Sequence, residues 1–165
     1  MILHKSIEIE LKAVDGEGVF TGWAARFGNT DTQGDIIEPS AFTDAEGTEI
    51  PLLMGHKGDT VGIGTVENRP EGLWIKGKLL LATVAGREAY ERAKAGIAKG
   101  LSVGFRMLDH ARDGAVRRIT RAQLVEVSLT PWPANPEALV ASLKAKPGPC
   151  ESIHRILKPE LYLRH

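Results

Sequence analysis

The 165-residue chain has a single cysteine, Cys150. That excludes an internal disulfide framework and fits a reducing compartment. An excess of one charge is missing too. With 21 Lys+Arg against 21 Asp+Glu the formal net charge is zero, so the chain lacks the basic surplus by which nucleic-acid binders release counterions. No apolar run approaches the roughly 18 residues of a membrane span, and the opening MILHKSIEIELK is interrupted by charges, unlike a signal peptide. The five histidines, His4, His56, His110, His154 and His165, show neither HxH nor HExxH spacing, and Cys150 has no second thiol, so no zinc site is expected. Phosphate-cradling glycine loops, dinucleotide fingerprints and RNA-binding aromatic strings are also missing. These absences leave a small, soluble, intracellular domain that calls for no cofactor, no metal, no nucleic acid and no membrane.

Eighteen glycines and nine prolines divide the chain into short segments, which predicts a mostly β fold with a few helices. Residues 5–12 alternate strictly, with Ile7, Ile9 and Leu11 on one side, as a half-buried strand does. Further strands are predicted at 18–27, 49–54, 61–67, 72–81, 101–108, about 115–119 and 122–130. The turn Arg69-Pro70-Glu71-Gly72 joins two of them as a hairpin. Residues 28–48 are dense in turn formers around Ile36-Ile37 and read as a loop. Residues 84–99 read as a helix: Ala89, Ala93 and Ile97 recur every four positions, Glu88 precedes Arg92 by four, and Gly100 supplies a stop. A second helix is predicted at 136–146. One domain, 1–146, is then followed by a Pro-Gly-Pro-Cys linker at 147–150 and a polar tail to residue 165.

Chemistry concentrates around Gly100-Leu101-Ser102-Val103-Gly104, a G-x-S-x-G string. In α/β-hydrolases that string is a nucleophile elbow running from strand through turn to helix. Here a helix precedes it and a strand follows, so the elbow reading fails. Strand alternation puts Leu101, Val103, Phe105 and Met107 on one face and Ser102, Gly104 and Arg106 on the other. Gly104 keeps that second face low, room enough for another backbone beside Ser102. On 122–130, Val125, Val127 and Leu129 point one way and Leu124, Glu126 and Ser128 the other. Glu126 is then either a solvated acid or one that orients a base. A serine nucleophile needs such a base. His4, His154 and His165 lie towards the ends of the chain, and His110 falls in a polar turn, DHARDG. His56 ends an apolar strand beside Gly55 and is either a satisfied strand-end histidine or the base. Asp31, Asp35 and Glu38 could hold a hard cation, but their spacing is not that of a calcium loop and a structural role is expected.

Taken in order, FTGWAARFGNTDTQGDIIEPSAF, PLLMGHK, VGIGTVENRPEGLWIKGKL, KGLSVGF and LVEVSLTPWPANPEA resemble the prohead (capsid maturation) serine proteases of tailed bacteriophages, from about Val19 to Ala141. That family is similar to the herpesvirus assemblin proteases. The resemblance implies a compact β-barrel-like core surrounded by helices, with His56 as the general base and Ser102 as the nucleophile. Assemblins place a second histidine downstream of the serine. This chain offers Glu126 there instead, and an acidic third member is the expectation. The implied substrates are the major capsid protein and its scaffolding segment, trimmed inside the assembling prohead in the bacterial host cytoplasm. Self-cleavage and dimerisation are implied as well. A non-catalytic assembly or scaffolding factor on the same fold is the alternative.

Overall fold

Period-two alternation builds most of the fold. In the computed structural model residues 2–8, 17–31 and 33–131 are described, residues 2–8 by their backbone. The strands are β1 (Ile2–Glu8), β2 (Val19–Arg26), β3 (Asp35–Ile37), β4 (Glu49–Met54), β5 (Thr60–Arg69), β6 (Gly72–Leu79), β7 (Gly100–Asp113) and β8 (Val116–Thr130). On β6, Leu73, Ile75 and Leu79 are buried while Lys76 and Lys78 are exposed, so one face seeds the core. β5 and β6 pair antiparallel up to Arg69 opposite Gly72, the hairpin expected from the Pro70-Glu71 turn.

The strands form one sheet in the order β1-β7-β8-β4-β5-β6-β2, with β3 paired to β8 off that path. Its two ends, β1 and β2, approach each other, so the sheet curls into a half-barrel. Phe20, Leu52, Leu73, Ile75, Leu101, Val103, Phe105, Val127 and Leu129 fill the concave side. Phe42 meets Phe105 edge-on at 5.6 Å between ring centroids. Helix α1 (Val84–Lys94) seals part of the core with Ala89 and Ala93, and its first turn is capped by Thr83, whose hydroxyl accepts from the Gly86 amide at 3.0 Å.

Several expectations change. β1 is described from Ile2 to Glu8 and so reaches three residues before the expected start, paired with β7 from Ile2 opposite Arg106 to Glu8 opposite Gly100; residues 9–12 lie outside the described residues. The 28–48 loop contains β3, whose three residues are all buried, and a single 3-10 turn at Thr43–Ala45. α1 stops at Lys94, with Gly96 at φ +70°, and not at Gly100, which opens β7. Ile97 is accordingly 58% exposed and outside the helical stripe. The segment DHARDG is no polar turn: β7 continues to Asp113 and turns through Gly114-Ala115 into an unbroken β8. Among the described residues there is one α-helix. The expected helix at 136–146, the Pro-Gly-Pro-Cys linker and the tail lie outside the described residues.

Candidate active site

β8 lies between β7 and β4, and that position assembles the site. Across the β7–β8 ladder Ser102 faces Ser128 and Gly104 faces Glu126. On its other side β8 pairs with β4 in parallel, Leu53 beside Ser128 and Met54 beside Leu129. The chain then turns sharply away from β4. Gly55 adopts φ +67°, a conformation costly to any residue with a Cβ, and its amide donates to Leu129 O at 2.9 Å. This clamp holds His56 over β8.

The His56 ring reaches both neighbouring strands. Its Nε2 lies 2.7 Å from Ser102 Oγ, and its Nδ1 lies 3.0 Å from Glu126 Oε1. A carboxylate only accepts, so Nδ1 carries the ring proton and Nε2 is the lone-pair nitrogen that accepts from the Ser102 hydroxyl. The other carboxylate oxygen, Oε2, accepts from Ser128 Oγ at 2.5 Å. Ser102 and Ser128 are fully buried, Glu126 is 4% exposed, and the His56 side chain is 25% exposed. The sequence put all three nominated residues on the page, and the fold brings them into one hydrogen-bonded line.

A bulge aims the carboxylate. Pairing shifts between Gly104/Glu126 and Phe105/Leu124, leaving Val125 as the extra residue. Leu124 therefore turns towards the core with Phe105 and does not share the face of Glu126, which corrects the simple alternation. The role of Gly104 is also corrected. The space beside it is taken by the Glu126 carboxylate, and not by another backbone: a Cβ there would overlap Glu126 Oε1. Ser128 is the residue that sequence reasoning left without work. The signal was available in Glu126-Val127-Ser128, since residues two apart share a strand face.

The remaining candidates lie elsewhere. His110 is an exposed β7 residue opposite Ile119. His4 lies on β1 opposite Gly104 by register, and His154 and His165 lie outside the described residues. The acidic residues of the 28–48 segment are engaged structurally. Asp35, 2% exposed, takes both oxygens to Arg117, at 2.9 and 2.5 Å, and that hydrogen bond raises Arg117 further above its ordinary pKa. Glu38 accepts from Arg118 at 2.8 Å. Asp31 caps the amides of Gln33 and Asp35. Among the described residues no group of three His, Cys, Asp or Glu side chains is placed to hold a metal ion.

The profile of the caudovirus prohead serine proteases matches residues 6–149. The chain belongs to this family. It is a serine peptidase of phage capsid maturation, so the non-catalytic assembly factor gives way. The prohead protease of Enterobacteria phage HK97 is 30% identical over 154 residues, a match spanning 86% of this chain and 67% of that relative. The solved capsid assembly protease of bacteriophage T4 superposes with a TM-score of 0.63 at 8% identity, covering 77% of this chain and 96% of that one. This second likeness is one of fold. No helix among the described residues is long and apolar enough to cross a membrane.

Proposed function

We propose that this prohead protease cuts peptide bonds with a Ser102–His56–Glu126 triad. The observation that carries the reading is the continuous line from Ser102 Oγ to His56 Nε2 and from His56 Nδ1 to Glu126 Oε1. Ser102 Oγ attacks the peptide carbonyl carbon as its proton passes to His56 Nε2. When the tetrahedral intermediate collapses, that proton goes to the departing amine and leaves an ester on Ser102. Water, deprotonated by the same nitrogen, releases the acid and restores the serine. Glu126 holds the productive tautomer and stabilises the imidazolium formed in both steps. The substrates are the major capsid protein, its scaffolding segment and the enzyme itself, cut inside the prohead in the host cytoplasm. The curled sheet is of the assemblin type, residues 1–146 are the protease domain with 147–165 as linker and tail, and a dimer is the working form.

Intact mass of capsid protein co-expressed with wild type or Ser102→Ala tests the reading. Truncation with wild type alone is the expected result. Truncation in both would remove Ser102 from the chemistry, and full-length capsid protein in both would remove capsid protein from the substrates.

A further inference from the structure

We propose that Ser128 is a positioning residue of the peptidase, holding the Glu126 carboxylate so that Oε1 is the oxygen given to His56. The inference rests on the reading of Ser102, His56 and Glu126 as the triad. Its physical basis is a buried acid whose two oxygens have different partners: Oε1 lies on His56 Nδ1, and Oε2 accepts from Ser128 Oγ. At 4% exposure Glu126 has little water to solvate it, so each oxygen needs a donor from the protein. A carboxyl group held at one oxygen can still turn about its terminal torsion, which is broad for Glu. Held at both, it has one orientation.

The place of Ser128 in the sheet suits it to that work. It is fully buried, paired with Ser102 on one side and with Leu53 on the other, so its backbone is fixed from both strands. A hydroxyl in the middle of a buried sheet costs desolvation unless it is hydrogen-bonded, and this one is bonded to the carboxylate two residues earlier on the same face. Although Ser102 lies directly opposite, the Ser128 proton goes to Glu126. Two serines on one cross-strand row thus serve different ends of the same line, Ser102 meeting the ring and Ser128 meeting the acid behind it.

The test compares wild type with Ser128→Ala and Ser128→Thr in the full chain. The readouts are kcat and KM on capsid protein, the rate of Ser102 labelling by a fluorophosphonate, and the downfield proton resonance of His56 Nδ1–H. Loss of one charge-assisted hydrogen bond predicts a fall of about 10- to 100-fold in kcat and in labelling for Ser128→Ala, at unchanged KM. The Nδ1–H resonance should shift or broaden. Ser128→Thr, which keeps the hydroxyl, should restore most of the rate. A folded Ser128→Ala with wild-type kcat, or one whose Nδ1–H resonance is unmoved, overturns the proposal. If Ser128→Ala does not fold, Ser128→Thr decides: a folded threonine variant that keeps the hydroxyl yet has lost activity also overturns it. Ser102→Ala serves as the control, since its labelling at the wild-type rate would sink the triad reading itself and not the role of Ser128 alone.

Discussion

Gly104 stands opposite Glu126 on the β7–β8 ladder, and the carboxylate occupies the volume that a side chain on Gly104 would need. The acid approaches His56 because its cross-strand neighbour has no Cβ. Gly104→Ala should therefore push the carboxylate off the imidazole, at a cost of about 1–3 kcal/mol in stability, with a larger loss of turnover. The compensating change is Glu126→Asp, one methylene shorter. In a double-mutant cycle the pair should be less destabilised than the sum of its members. Thermal melts of the four proteins check this, and strict additivity would mean that the two residues do not compete for space.

Removing the charge of Glu126 while keeping its shape separates orientation from sterics. Glu126→Gln should lower turnover by about two to four orders of magnitude, by analogy with acids that support a histidine base. A fluorophosphonate should still label Ser102, though slowly. Turnover at the wild-type rate would remove Glu126 from the triad.

His56 depends on the bend before it. With φ at +67°, Gly55→Ala should cost about 1–2 kcal/mol. The affected amide is the one bonded to Leu129 O, so the strain falls where β4 meets β8. A urea titration should register the loss of stability, and Ser102 labelling should slow with it. Unchanged labelling would show that the ring holds its place without the clamp.

The Asp35–Arg117 pair offers a control in the opposite sense. It ties β3 to β8 nine residues from Glu126, roughly 30 Å along an extended strand. Arg117→Met takes the bidentate partner from a carboxylate that is 2% exposed and should cost on the order of 3 kcal/mol. The urea midpoint should fall while kcat at 20 °C (about room temperature, far below any melt) stays near wild type. A matching fall in kcat would mean that the 28–48 segment reaches the site.

What the sequence made legible follows from where period two is clean. β2, β4, β5 and β6 alternate plainly or end at recognisable turns, and they fall where the pattern puts them to within two residues or so. β3 is three residues long, too short for any period. The far half of β7 is largely exposed, so residues 109–113 looked like part of a turn while being strand. At the site, alternation placed Ser102, Glu126 and Ser128 on the strand faces opposite the valine- and leucine-bearing core faces, but could not foresee the Val125 bulge, which depends on the partner strand. His56 was the hardest. Its approach to Ser102 depends on the parallel pairing of β4 with β8, a relation between distant segments that leaves no local periodicity, and the family resemblance singled it out where spacing left two readings.

That parallel pairing also sets an order of events. The imidazole and its carboxylate are separated by 70 residues of chain, and the imidazole and the serine by 46. During synthesis the β4–β5–β6 meander can form as soon as it emerges, since its contacts are between neighbours in the chain, whereas non-local pairings close later and more slowly. A half-made polypeptide thus carries His56 with neither Ser102 nor Glu126 yet made to meet its ring. Only when β8 has been made and inserted between β7 and β4 does the line of hydrogen bonds close. On the proposed triad, a chain whose synthesis has not yet passed β8 should be inert towards its neighbours, because the serine, the ring and the acid are not yet in one line.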